Sequence, residues 1–237
     1  MELANQRRRL STPSIFFYAD EALELMDAEG RPSTRSTLMR LILEPDYRRR
    51  VVRYALGKPV ELATHDRREL EQVIIPYYTA QPDVHSILFI GVAWYTRHYP
   101  RNYFAGKNLW TIDIDPAAAK HGARQHITAS VTDLQQSFAP GTFDCVMMNG
   151  VYGHGLEDAE DCEKAFAACY EVLRAGGHLL LGWNDLPEYR GAPLSAIESL
   201  NRFEPVQLPP FGTHRHLSDP ITRHIYQFFR KPVPSSM

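Results

Sequence analysis

The sequence predicts an α/β protein built on an open, mostly parallel, doubly wound sheet, and three neighbouring features lead to that class. Residues 144–148 (DCVMM) form a short, almost wholly apolar run, as parallel strands covered on both faces require. After a loop carrying Gly150, Gly153 and Gly155, the apolar residues Cys162, Ala165, Phe166, Cys169, Val172 and Leu173 recur at three- and four-residue steps, the stripe of a helix lying on a sheet. Ala175-Gly176-Gly177 then reads as a helix end, since glycine takes the left-handed C′ conformation without a Cβ penalty, and 178–181 opens another buried strand.

The other elements follow in order. Residues 1–83 show no strand alternation and read as a helical extension, with helices near 20–28, 36–55 and 66–78 separated by Gly30-Arg31-Pro32 and Gly57-Lys58-Pro59. Gln81-Pro82-Asp83 is the expected linker into a second domain, 84–237. Its first strand, 86–90, ends at Gly91, and its second, 109–112, ends at Asp113. Asp115 is placed to cap a helical turn with Pro116 at its first position, and a third strand, 126–129, runs into 130–134. Residues 184–220 are rich in proline and read as a loop-dominated wall, before a last strand at 223–229 with weak alternation.

Strand ends of such a sheet open into one crevice, so Gly91, Asp113, Asp133 and Asn149 are expected to converge on one ligand. Asp113 follows Gly91 by about 20 residues, the spacing at which an acid accepts hydrogen bonds from ribose hydroxyls. The competing reading of Asp113 is an ordinary capping or loop acid.

FDCVMMNG, the helix after it and EVLRAGGHLLLGW resemble the fourth strand, following helix and fifth strand of class I S-adenosylmethionine-dependent methyltransferases, and the similarity covers roughly 84 to 184. The resemblance implies a Rossmann-like fold with a seven-stranded, mostly parallel sheet and an antiparallel last strand, and S-adenosylmethionine as cofactor. It also implies that Asp113 holds the ribose, Asp133 the adenine amino group, and that Asn149 to Tyr152 line the junction of methyl donor and acceptor. A helical N-terminal lid is common in the small-molecule members, which makes Phe16, Phe17, Tyr18 and Tyr47 candidate lid residues, or simply packing between helices.

The first loop departs from the acidic-x-Gly-x-Gly-x-Gly pattern of that family. It reads Phe89-Ile90-Gly91-Val92-Ala93-Trp94-Tyr95, with one glycine in place of three, so backbone cannot approach a ligand as closely. Two readings stay open. Trp94, Tyr95, Arg97 and His98 replace the glycines as a wall, with Arg97 on the methionine carboxylate and a ring facing the sulfonium; or the aromatics close the core over a helix shortened at Pro100. The same crowding counts against NAD, because a pyrophosphate needs bare backbone N–H groups at a helix N-terminus.

Composition limits the partners. A net charge of −2 argues against a general nucleic-acid surface despite the runs Arg7-Arg8-Arg9 and Arg48-Arg49-Arg50. Three cysteines give no disulfide framework, and the longest apolar run near the N-terminus is only Ile15-Phe16-Phe17-Tyr18, so a cytoplasmic protein without a membrane span is expected. His214 and His216 lack further ligands at zinc-site spacing. His154, in the Gly150–Gly155 loop, is the candidate general base, and Tyr152 the second catalytic candidate beside it. The sequence therefore reads as an S-adenosylmethionine-dependent methyltransferase acting at oxygen or nitrogen of a small organic acceptor. A methyltransferase-like fold without methyl transfer is the alternative, and an NAD-dependent oxidoreductase the weaker one.

Overall fold

The computed structural model describes residues 45–56, 58, 60, 64–189 and 191–234. The chain divides into two units between Val52 and Arg53, within a helix, α1 (Pro45–Ala55), and the second unit carries the sheet. The expected helix at 20–28 and the lid candidates Phe16, Phe17 and Tyr18 lie outside the described residues, as does the side chain of Tyr47.

Eight strands form one sheet: β1 (Ser86–Ile90), β2 (Asn108–Asp113), β3 (Gln125–Thr128), β4 (Phe143–Asn149), β5 (Leu173–Asn184), β6 (Glu204–Pro205), β7 (Arg215–Asp219) and β8 (His224–Arg230). Their order is β3-β2-β1-β4-β5-β8-β6, with β7 also paired to β8. The first five are parallel to one another, and β8 runs antiparallel to β5. The count is eight rather than the expected seven because two short strands, β6 and β7, share the outer edge of β8.

Alternation along the strands divides the core in two. Leu88, Ile90, Val146, Met148, Leu179 and Leu181 face α3 (Ala159–Val172), whose Cys162, Ala165, Phe166, Cys169 and Val172 are the predicted stripe. Ile87, Phe89, Cys145, Met147, Leu180 and Tyr226 face a second helix, α2 (65–80), through Leu70, Ile74, Ile75 and Tyr78. The last helix of the expected N-terminal extension is thus part of the sheet's own core. It is built from His65–Glu69, a π-turn at Leu70–Ile74 and Ile75–Ala80. The wide turn comes just before Pro76, which in a regular helix would clash with the carbonyl four residues back.

Both ends of the predicted helix change. α3 starts earlier, capped by Asp158, whose carboxylate accepts from the N–H groups of Glu160 and Asp161, and it ends at Val172 with Leu173 already extended. Leu173 belongs to β5, not to the helical stripe, and Gly176-Gly177 is not a helix cap. Pairing of β4 with β5 jumps from Phe143–Leu173 to Cys145–His178, so the glycines carry a bulge that Lys231 stitches to β8: Gly176 donates to the Lys231 carbonyl and Lys231 N–H to that of Gly177.

Asp144, second residue of β4, shows why an acid follows Phe143. Its Oδ2 accepts the N–H groups of His85 and Ser86, each at 2.8 Å, and Oδ1 accepts from the Arg174 guanidinium. Burial raises its pKa, but the Ser86 N–H, the Arg174 side chain and the His85 N–H outweigh it and hold the carboxyl below its usual range. The start of β1 is therefore pinned to β4 by a charge. Asp144→Ala should cost about 2–3 kcal/mol in urea unfolding at pH 7, the scale of hydrogen bonds to a charged group plus amides left without a partner. Stability should also fall more steeply in the parent than in the variant as pH drops through and below the ordinary carboxylate range near 3.8, because protonating a carboxyl whose folded pKa is depressed costs stability.

Candidate functional site

Register aligns Ile90 with Ile112 and Met148, Asp113 with Thr128, and Asn149 with Gly182, so the carboxyl ends of β1 to β5 form one edge. Strand order reverses between β1 and β4, which places the crevice beside Gly91. Gly91 has φ +81°, and a Cβ there would stand 2.8 Å from Val151 Cγ2, so the loops after β1 and β4 meet too closely for any side chain. Asp113 braces the first of them. Its Oδ2 accepts the Val92 N–H at 2.8 Å, and Oδ1 the Asp115 N–H at 2.9 Å. It is half-buried and is more than a rim acid, since two loops depend on it.

After Gly91 the chain makes only a 3₁₀ turn, Trp94–Thr96, and a helical turn, Tyr99–Asn102. Phe89, at the expected acidic position, is a core residue packed edge-on to Tyr99 and Phe104. This fits the shortened-helix reading for Tyr99. Trp94 and Tyr95 are half-buried, their rings 5.4 Å apart, with the Arg67 guanidinium over Tyr95 at 4.3 Å. The Trp94 indole N–H is buried and lacks an acceptor. Arg97 is exposed and lies over the Tyr54 ring at 5.1 Å.

Asp133 closes a 3₁₀ turn capped by Ser130, just past β3, and accepts from Gln136 Nε2 at 3.0 Å. Asn149 is buried and reaches sideways over β5. Its Oδ1 lies 3.1 Å from His224 Nε2, and a Cβ on Gly182 would fall 1.9 Å from that oxygen, so Gly182 is the gap through which the contact passes. Tyr152 is a core residue: its ring packs edge-on to Trp183 and its hydroxyl donates to the Ala192 carbonyl at 2.7 Å. His154 is half-buried, against the Tyr189 ring, with Nε2 3.2 Å from Asn184 Oδ1. The Asn184 amide donates to the Thr222 carbonyl, which turns its oxygen to the histidine and places the imidazole proton on Nε2. Burial lowers the His154 pKa against the Asn184 bond and Glu157, so the ring is neutral at pH 7 with its lone pair on Nδ1.

His216 stacks on Phe211 at 3.9 Å and meets Glu69 Oε2 at 2.9 Å, and no group of three His, Cys, Asp or Glu among the described residues could hold an ion.

His224 was not singled out by the sequence. It opens β8 and reaches Asn149 across 75 residues, a contact no local pattern signals. A weak cue was a histidine at the first position of a strand otherwise apolar on that face.

The family model of a methyltransferase domain matches residues 90–181. Solved structures with the same fold include the N-methyltransferase NodS from Bradyrhizobium japonicum WM9, 21% identical over 70% of this chain and 96% of that one, with a TM-score of 0.55. The same enzyme in complex with S-adenosyl-L-homocysteine is 17% identical over 79% and 98%, at 0.54. A TehB-like S-adenosylmethionine-dependent methyltransferase from Corynebacterium glutamicum ATCC 13032 is 17% identical over 79% and 97%, at 0.51. No curated protein matches the chain. Residues 90–181 thus match a methyltransferase domain, and the chain has the Rossmann-like fold of these solved structures. Among the described residues no helix is long and apolar enough to cross a membrane.

Burial holds His224 near a pKa of about 4, against 6.5 for a free imidazole. A depressed folded value means the unfolded chain takes up the proton first. Stability present above pH 6.5 should therefore be lost between pH 6.5 and about 4, by about 3 kcal/mol for this group. Urea unfolding of the parent and of His224→Gln across that range should show the smaller loss in the variant.

Proposed function

We propose that the crevice binds S-adenosylmethionine and that the chain transfers its methyl group to oxygen or nitrogen of a small organic acceptor. The observation that carries the reading is Asp113, a half-buried carboxylate at the end of β2 beside the β1/β4 switch point, inside a matched methyltransferase domain. Each of its oxygens accepts one backbone N–H and retains a lone pair, so both can still accept from ribose hydroxyls. The site residues fit such a ligand in a second respect. In this reading the Trp94 N–H, a buried donor without an acceptor in the loop that follows Gly91, serves the amino-acid end of the ligand, where the missing glycines would otherwise have offered backbone. Asp133 is assigned to the adenine and Asn149 to the junction, through its hold on His224.

S-adenosylmethionine supplies an electrophilic methyl on a sulfonium. The chain's part is to bind, to align donor and acceptor, and to take up the acceptor's proton. His154 is suited to the last, being neutral at pH 7 with its proton fixed on Nε2 by Asn184. Tyr152, held in the core, contributes to the shape of the β4 loop and not to proton transfer.

S-adenosylhomocysteine should raise the melting temperature of the parent, since a ligand of the folded state stabilises it by mass action. Asp113→Asn should weaken that binding by about 1.5–3 kcal/mol in calorimetry, the range for a hydrogen bond involving a charge. Parent-like affinity in the variant would leave Asp113 a structural brace alone. With an acceptor supplied, His154→Gln should keep cofactor affinity and lose about 10²- to 10⁴-fold in turnover, and the parent rate should fall only below pH 6.5. Near-parent turnover across pH would assign the proton to another group.

A further inference from the structure

α2 begins at the carboxyl edge of the sheet with a buried carboxylate, one oxygen of which has no hydrogen-bond partner. Asp66 is 2% exposed, and its Oδ1 is sealed from solvent without a hydrogen-bond partner. The first turn of a helix favours an anion, yet no end N–H of α2 donates to a capping side chain. Its neighbour Arg67 is turned elsewhere: Nη1 donates to the Tyr99 hydroxyl at 3.0 Å and the guanidinium covers Tyr95. Tyr99 in turn donates to Glu71 Oε1 at 2.6 Å. Two buried carboxylates, Asp66 and Glu71, thus surround one buried guanidinium.

A second orphan lies close by. The Tyr226 hydroxyl donates to the Asp66 backbone carbonyl at 2.9 Å, which fixes the start of α2 on β8. His224 stands two residues before Tyr226, hence on the same face of the strand, with the two rings 4.7 Å apart. Its Nε2 is committed to Asn149, so the lone pair is on Nδ1, and Nδ1 is buried without a partner. The face therefore presents two buried acceptors, one of them anionic, and neither accepts a hydrogen bond. Native proteins seldom leave such groups unsatisfied unless a ligand satisfies them. A hydroxyl brings one hydrogen and no charge. A primary ammonium brings three hydrogens and a charge opposite to that of Asp66.

We propose that Asp66 and His224 Nδ1 form a binding subsite for a primary amine group. The assignment of that amine to the methyl acceptor rests on the methyl-transfer reading above; the subsite itself does not. Asn149 then has a defined task, holding His224 in the tautomer that accepts.

The test is an NMR titration of the full chain at pH 7 with methylammonium chloride, following the His224 imidazole signal, which His224→Gln identifies by its loss. Tetramethylammonium chloride, a cation with no N–H, is the control. The subsite predicts a saturable shift with methylammonium, at least 10-fold weaker with tetramethylammonium, and absent in Asp66→Asn. It also predicts that Asp66→Asn melts no lower than the parent, because an unsatisfied charge is exchanged for a neutral group of the same shape. No saturable shift in the parent, equal response to the two cations, a shift that persists in Asp66→Asn, or a melting temperature lowered by several degrees in that variant would each overturn it. If methylammonium binds in this way while S-adenosylhomocysteine does not bind, the subsite stands and the methyl-transfer reading falls.

Discussion

The carboxylate of Asp113 accepts the amide of Val92 with one oxygen and that of Asp115 with the other, and the geometry of the crevice rests on those two bonds. A loop with three glycines can fold against a ligand by itself; the loop here has one, and β2 supplies the restraint that sequence composition withholds. The brace holds the turn after β1 open to the edge of the sheet, and Gly91, which can take φ +81°, lets that turn pass against Val151 of the loop after β4.

The two faces of the sheet have different work. α3 covers one with a stripe of small and medium apolar residues and carries no ionisable side chain into the core apart from inert thiols. α2 covers the other, and its first turn and a half brings Asp66, Arg67 and Glu71 to the carboxyl edge, all buried. Burying three charges costs more than apolar packing would return at the same positions, so their retention at this edge is best understood through ligand recognition. The absence of a Cβ at Gly182 on β5 is what lets Asn149 on β4 reach His224 on β8.

Much of the fold was legible because its signals are local. The apolar run 144–148, the stripe from Cys162 to Val172 and the strand ends at Gly91 and Asp113 depend on period and punctuation alone. Gly176-Gly177 was misread for the same reason: the glycine pair signals a break in regular backbone but does not say whether a helix cap or a bulge causes it. In the site, Asp113 could be found by spacing, and His154 by its loop. Tyr152 could not be separated from its neighbours, because a loop sequence does not tell which way a ring turns. Asp66 and His224 were out of reach altogether, since what marks them is burial without partners, and the bonds that place them span 160 and 75 residues.

The measurement that bears most directly on this account is a backbone amide NMR titration with S-adenosylhomocysteine. The account predicts saturable shifts concentrated in the loops that follow β1, β2, β3 and β4, with the Val92 and Asp115 amides among the largest, because both report on the carboxylate that would take the ribose. A saturating titration that leaves Val92 and Asp115 unmoved, or shifts centred on the opposite edge of the sheet, would contradict it.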